Sequence, residues 1–420
     1  MRRLGALKDV VDWGLCIGCG ACYAYCDRGA VSLVKIESIG IRAKVDTKKC
    51  GECCECLRFC PGYGVNSLDL ERQFDAPAVS HPLVGPAASI HEGCAADPEI
   101  RYQASSGGAL TALALYCLEV EKTAFVLHTG MDAATPWENV TVRSFNRDDL
   151  LAHAGSRYTP SSPCDSLRLI EQSDRPCVFI GRPCDAAAVQ QIRKLRPELD
   201  KKLRLVLTFF CAGPPCSQGT KDLVASLGMN AGEVSSIRYR GRGWPGRFTV
   251  RTRSGEEKSL SYEESWGQLA NKHRSMRCHL CPDGLGECAD ISCGDAWNRY
   301  QQNGNPGLSL VLARTDRGAK VITGAIASGF ISLKPATVQD VVDAQGLVRR
   351  RQELHGRLWA MKSLMIPAPT FPGFHLEEAW QSCSHQTKFR TVAGTLRRLI
   401  LRGLWHRNDP VRPKPNQVPA

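Results

Sequence analysis

The sequence predicts an α+β protein in which a small cysteine-bound module precedes a larger α/β domain. Two cysteine runs of matching spacing lie before residue 61, and strands alternate with helices between residues 105 and 340. Alternation of that kind builds a sheet with helices on its faces. No run of about 18 apolar residues interrupts the pattern, so no membrane span is expected.

The first run reads Cys16-Ile17-Gly18-Cys19-Gly20-Ala21-Cys22-Tyr23-Ala24-Tyr25-Cys26. The second reads Cys50-Gly51-Glu52-Cys53-Cys54-Glu55-Cys56-Leu57-Arg58-Phe59-Cys60-Pro61. Both follow the C-x2-C-x2-C-x3-C spacing of bacterial two-cluster ferredoxins, in which the fourth cysteine of each run ligates the other cluster. One 4Fe-4S cluster is therefore assigned to Cys16, Cys19, Cys22 and Cys60. The other is assigned to Cys50, Cys53, Cys56 and Cys26. The fourth cysteine is expected to open a helix that crosses between them. Gly18 and Gly20 are expected to leave room for backbone amides beside the inorganic sulfides. Ala30–Val34 and Ile41–Val45 read as a strand pair, and Cys54 as a bystander thiol. Zinc, the alternative, takes four ligands from paired knuckles rather than from two three-plus-one runs. The module is bounded at residues 8–71.

Composition narrows the class. The chain has 420 residues and 21 cysteines, and an odd thiol count without an apolar leader argues against a disulfide framework. Nothing in the first residues resembles a signal peptide, so a cytoplasmic protein is expected. The net charge of +12 is spread over arginines late in the chain. Neither an RNP strand nor a zinc-finger pair accompanies it, so nucleic acid is not expected as a partner.

Residues 72–104 are rich in Pro, Ala and His and read as a linker. Beyond them come a helix at 109–122, strands at 124–129, 177–181 and 203–210, and a helix at 185–195. A strand at 307–313 and a helix at 317–328 complete the body. Cysteines stand where strands end: Cys184 after the second strand, Cys211 and Cys216 after the third. Later come Cys278-His279-Leu280-Cys281-Pro282-Asp283, then Cys288 and Cys293. Buried free cysteines behave as small apolar residues, a reading that suits Cys117, Cys164 and Cys177. Two thiols of a C-x-x-C pair face one point, which suits a third cluster better. Ser105-Ser106-Gly107-Gly108 opens the 109–122 helix, where unpaired N–H groups suit either a phosphate or a simple cap.

Read in order, several segments resemble the coenzyme F-420 hydrogenase/dehydrogenase β-subunit family. They are Ser105–Thr111, Gly155-Ser156-Arg157-Tyr158, Phe179–Cys184, Cys211–Pro215, Cys278–Asp283 and Ala289–Asp295, within a resemblance over residues 12–340. The resemblance implies a flavin-binding α/β domain at 105–340. It places FAD near Ser105, Ser106, Gly107, Gly108, Ser156, Arg157 and Tyr158. It also implies a third cluster on Cys184, Cys211, Cys278 and Cys281, with Cys288 and Cys293 as rivals. Gly181-Arg182-Pro183-Cys184-Asp185 departs from relatives that carry Thr before the Pro and Gln after the Cys. The implied activity is an iron–sulfur flavoprotein oxidoreductase. It takes electrons from a redox donor protein or ferredoxin and delivers them to F-420 or another organic two-electron acceptor. The alternative is a non-catalytic electron-transfer subunit of a larger dehydrogenase or hydrogenase. No catalytic acid is assigned; Asp185, His279 and Asp283 merely flank cysteines.

Residues 341–409 read as a basic helical region with Arg349-Arg350-Arg351, and 410–420 as a disordered tail. Over 388–407, Phe389, Val392, Leu396, Leu399, Ile400 and Trp405 gather near one helical face, away from most of the arginines. That pattern suits packing on the domain, the favoured reading, or an anionic membrane surface.

Overall fold

The computed structural model describes residues 4–68, 79–300, 306–401, 403–404 and 406–410. An antiparallel hairpin, β1 (Val31–Ile36) and β2 (Gly40–Val45), carries the N-terminal module. The body is an eight-stranded sheet ordered β13-β3-β12-β11-β7-β6-β4-β5. Its strands are β3 (Ser89–Ala95), β4 (Val126–Met131), β5 (Asn139–Ser144), β6 (Cys177–Gly181) and β7 (Leu203–Phe209). A separate three-stranded sheet of β8 (Val234–Arg238), β9 (Arg247–Thr252) and β10 (Glu257–Ser261) follows in the chain. β11 (Ile291–Asp295), β12 (Ser309–Ala313) and β13 (Ile331–Pro335) return to the large sheet.

The centre of that sheet, β11-β7-β6-β4, is parallel, and antiparallel strands flank it on both sides. β6 and β7 read Cys-Val-Phe-Ile-Gly and Leu-Arg-Leu-Val-Leu-Thr-Phe, near-continuous apolar runs of the kind a strand covered on both faces requires. The helix Ala109–Glu119 buries Leu113, Leu115 and Cys117 against one face. The helix Pro183–Leu195 lies in the core on the other side with Ala186, Val189 and Ile192.

Two expectations change. Residues 89–103 are not linker: β3 sits inside the sheet between β12 and β13, and Pro98–Gln103 is helical. Residues 72–78 of that expected linker and 69–71 of the module lie outside the described residues, as do 411–420 of the expected tail, Arg402 and Trp405. The cysteine module, moreover, has no core of its own. Leu7, Val11, Val31, Ala43 and Phe59 pack in one cluster with Phe125, Leu127, Phe179 and Val189 of the body. The fourth cysteines also close helical turns instead of opening them, since Cys26 follows Ala21–Ala24 and Cys60 follows Glu55–Phe59.

The helix His385–Leu401 packs against Leu347–Ser363, burying Thr395 and Leu399, while Phe389, Ile400 and Leu401 stay exposed. No helix among the described residues is long and apolar enough to cross a membrane.

Because one core serves both parts, Phe179→Ala should cost about 3–5 kcal/mol and lower a single unfolding transition in calorimetry, rather than splitting it into two. His128 on β4 bonds Ser144 Oγ at 2.7 Å. Burial, with His153 beside it, pulls its pKa down to about 4. The unfolded chain binds this proton below about pH 6.5 and the folded chain does not until about 4. The stability His128 confers is therefore complete above the higher value and lost as pH falls toward the lower one. His128→Asn should flatten that part of a denaturant midpoint-versus-pH curve.

Candidate metal and cofactor centre

The thiols expected as ligands gather in three sets. Cys16, Cys19, Cys22 and Cys60 line one small cavity with Leu7 and Phe59. Burial pushes the Cys22 thiol far up, and the charges of Cys19, Cys16 and Cys60 add to it. Around Cys56, pushed up to about 12 by burial, stand Cys50, Cys53 and Cys26. At the carboxyl ends of β6 and β7, Cys184 has Cys211 and Cys281 as charged neighbours. Cys278 acts on both Cys211 and Cys281. No three His, Cys, Asp or Glu side chains among the described residues converge as one bound metal ion would require. A cubane instead spreads its four thiolates over four irons.

Exposure grades across the sets. Cys53 is exposed and Cys26, Cys50 and Cys56 half-buried, whereas Cys16, Cys19 and Cys22 are buried. Cys54 turns away, donating to the carbonyls of Gly5 and Glu52 at 3.0 and 3.1 Å. The rivals of the third set stand apart from it. The charges acting on Cys288 are those of Asp283, Glu287, Lys194 and Arg314, and Cys293 is simply buried within β11.

The glycines of the first run also permit close packing. A Cβ at Gly18 would lie 2.4 Å from the Ile41 carbonyl oxygen, and one at Gly20 2.8 Å from Asp165 N. They let the loop lie on the hairpin and on the 163–166 turn. Cys164, on that turn, donates its N–H to Cys19 O at 3.0 Å, and its thiol holds the Cys19 thiol below its usual range.

Buried arginines tie the sets together. Arg182 makes a two-toothed pair with Asp185 at 2.7 and 2.8 Å just before Cys184. Arg277 donates to Leu280 O at 2.9 Å and to Pro61 O at 2.7 Å, joining the third set's loop to the residue after Cys60. Arg350 donates to the carbonyls of Cys211, Ala212 and Cys278 at 2.8, 3.0 and 3.3 Å. None of these was assigned from sequence: Arg182 and Arg277 bond residues three positions on, but Arg277 also reaches Pro61, and the partners of Arg350 lie 72–139 residues away. Asp185 is thus a structural anion, Asp283 caps a turn by accepting from Gly286 and Glu287 N–H, and burial pulls His279 down to about 3.

The segments expected near a flavin also meet. Ser156 N–H donates to Ser105 Oγ at 2.6 Å. Ser106 Oγ donates to Leu308 O and Gly107 N–H to Ser309 Oγ, so that part of the turn is held by β12 and its approach. Gly108, at φ +78°, caps the helix. Arg157 spends its guanidinium on Asn139 and on three carbonyls, a strut rather than a free cation. Tyr158 packs on Trp266 and Tyr239. Beside Gly155 and Ser156 opens a cleft of about 260 Å³ lined by His153, Arg238, Arg242 and Arg251. At the end of β11, Asp295 holds Arg240 and the Trp244 indole, with Trp297 stacked on Trp244 at 5.3 Å.

Two sequence models of one family match this body: coenzyme F420 hydrogenase/dehydrogenase, beta subunit, N-term over residues 90–168 and C terminus over 174–339. The chain belongs to that family. A 4Fe-4S binding domain matches residues 9–32, so it is an iron–sulfur oxidoreductase of the family. The coenzyme F420 hydrogenase subunit beta of Methanococcus voltae is 26% identical, over 66% of this chain and 95% of its own length. Its counterpart of the same name in Methanothermobacter thermautotrophicus is 25% identical, over 68% and 99%. The F420-dependent formate dehydrogenase subunit beta of Methanocaldococcus jannaschii is 26% identical, over 70% and 71%. A chain of the F420-reducing [NiFe] hydrogenase complex from Methanosarcina barkeri shares the fold, with TM-score 0.53 at 23% identity over 68% of this chain and 94% of that one.

Arg350→Met frees three carbonyls around the third set, and a hydrogen bond from a charged group contributes about 1.5–3 kcal/mol. In iron-free protein, Cys211 and Cys278 should then react several-fold faster with a thiol reagent, while Cys53 keeps its rate.

Proposed function

We propose that this chain relays single electrons from a protein donor through three 4Fe-4S clusters to FAD, which delivers them in pairs to an organic acceptor such as coenzyme F420. What supports the reading is the gathering of twelve cysteines into three sets of four, one with the exposed Cys53, one with Cys16, Cys19 and Cys22 buried, and a half-buried one at the strand ends of the body. The donor set suits the group. Burial pushes up the thiols of Cys22, Cys56, Cys60, Cys184, Cys211 and Cys281, whereas Cys164 holds Cys19 down. An uncompensated thiolate is disfavoured at the raised positions, and bound iron would supply the missing positive charge. Cys50, Cys53, Cys56 and Cys26 would hold the entry cluster at the surface. Cys16, Cys19, Cys22 and Cys60 would hold the second, and Cys184, Cys211, Cys278 and Cys281 the third.

The lining of the cleft beside Ser156 fits a phosphate-bearing cofactor: Arg238, Arg242 and Arg251 face it, with Glu257 as its acid. FAD accepts electrons one at a time and gives them up as a pair. The Ser105–Ser156 bond ties the 105–108 turn, which does not itself line the cleft, to the segment that does, and Asp295 holds Arg240, a lining residue, together with the Trp244 indole. The names of the relatives supply F420 as the first acceptor to try. They also describe subunits, so docking on a larger hydrogenase or dehydrogenase is the second reading, favoured by the exposed second run.

Anaerobic purification with iron, sulfide and flavin quantified per chain tests the relay. About twelve iron and one FAD are expected, and Cys184→Ser should remove about four of the iron atoms. About eight iron without flavin would leave only the N-terminal clusters and favour the carrier subunit.

A further inference from the structure

The fold uses only one side of the helix His385–Leu401. That side buries Thr395 and Leu399 against Leu347–Ser363. The other side faces water, with Phe389 74%, Ile400 56% and Leu401 72% exposed. Single apolar side chains are ordinary at a surface, but these share one helical face. Phe389 and Ile400 lie three turns apart at about 3.6 residues per turn, so they stand nearly in line. Between them the exposed positions are Arg390, Ala393 and Arg397.

Charge sets this face apart. Residues 385–401 include Lys388, Arg390, Arg397 and Arg398, and no Asp or Glu. Arg390 and Arg397 have no hydrogen bond or ion pair among the described residues. On the neighbouring helix, by contrast, Arg350 is bonded to Cys211 O, and Arg351 and Arg357 to Glu287 and Glu353. The chain just beyond the helix is fastened to the N-terminal module. Leu404 packs against the same core cluster as Leu4, Trp13 and Leu57, and Arg407 pairs with Asp9 and Asp12 at 2.6 and 2.8 Å. The open face is therefore held in place at both its packed side and its far end.

Its pattern suits lipid better than protein. A stable protein interface gathers its apolar side chains at one fully buried centre, inside a polar rim. Here Phe389 stands at one end of the face and Ile400 and Leu401 at the other, with two unpaired arginines between. A headgroup layer takes both kinds at once: arginines reach for phosphates while apolar side chains enter the acyl boundary. The helix is not long and apolar enough to cross a bilayer, so it would lie in the interface plane. Apolar insertion of this size attaches a protein only marginally, and a basic patch beside it supplies the second signal.

We propose that the helix His385–Leu401 is an anchor for an anionic lipid surface. Phe389, Ile400 and Leu401 enter the headgroup layer, and Arg390 and Arg397 meet lipid phosphates. The attachment does not depend on the proposed relay, and it carries the N-terminal module to the bilayer with it.

The test is co-sedimentation of the full-length, iron-loaded protein with vesicles of phosphatidylcholine alone or of phosphatidylcholine and phosphatidylglycerol in equal parts. A basic residue at an anionic surface raises partitioning about fivefold, so two should favour the anionic vesicles about twentyfold, less at high salt. Phe389→Ser with Ile400→Ser should lower partitioning into anionic vesicles at least tenfold, or about 1.4 kcal/mol. Arg390→Gln with Arg397→Gln should abolish most of the preference for anionic over neutral vesicles. All four positions are exposed, and unchanged iron content with an unchanged unfolding midpoint checks that each variant is folded; the two pairs test the face separately. Equal partitioning into both vesicle types, or folded variants that bind as the parent does, would overturn the proposal. So would a dimer in sedimentation velocity that Phe389→Ser abolishes in a protein that binds no vesicles, since the face would then belong to a second copy of this chain.

Discussion

Thiolates are anions, and this chain gathers many of them where water is scarce. Moving a charge into the interior is unfavourable unless an opposite charge and hydrogen bonds meet it. Much of the architecture around the strand ends answers that constraint. Arg182 pairs with Asp185 beside Cys184, and Arg277 and Arg350 aim their donors at carbonyls of the cysteine loops and of Pro61 after Cys60. The arrangement places positive charge without offering a carboxylate to every cation, which leaves part of that charge for sulfur and iron. It also occupies two of the basic residues that lie late in the sequence. Arg350 reaches back to Cys211 and Cys278, and Arg351 pairs with the buried Glu287.

The same constraint accounts for the merged core. A free-standing two-cluster module leaves both clusters near solvent. Here β1 and β2 are laid against the body so that Cys16, Cys19 and Cys22 share a hydrophobic cluster with Phe179 and Val189. Gly18 and Gly20 permit that contact by omitting a side chain where the Ile41 carbonyl and Asp165 backbone come close. The run at 50–60 stays outside. One cysteine set thereby keeps an exposed thiol while the next is shielded from water by the core it shares with the body.

What was legible in the sequence was whatever the chemistry writes locally. Thiol spacing named the members of the two N-terminal sets, the family resemblance those of the third, and the apolar runs of β6 and β7 named the strands whose ends carry Cys184 and Cys211. β3 was illegible for a physical reason. It turns Glu92 inward, and that carboxylate is matched by Lys334 and Arg299 from distant parts of the chain, so the strand lacks the apolar signature of its neighbours. Prolines at positions 77, 82 and 86 made the stretch before it resemble a tether. Arg157 shows what sequence leaves out. It lines the cleft beside Ser156, but its guanidinium is already bonded to Asn139 and three backbone carbonyls. Sequence reports which charges exist, whereas only the fold reports which of them are already satisfied.

That distinction bears on how direction is imposed on an electron relay. A satisfied cation such as Arg157 contributes rigidity, because its field is largely cancelled by the carbonyl dipoles it holds. A cation with an open donor contributes field, because reorganising its surroundings cannot cancel it once water is excluded. In this molecule Arg157, on the wall of the basic cleft, is the braced kind. Among the described residues Arg42, Arg277 and Arg351 keep an open, buried Nε, and of these Arg351 alone has a carboxylate, that of Glu287, against its guanidinium. Rigidity is thus supplied at the cleft wall, and uncancelled positive charge is left on the hairpin and on the loop that carries Cys278 and Cys281.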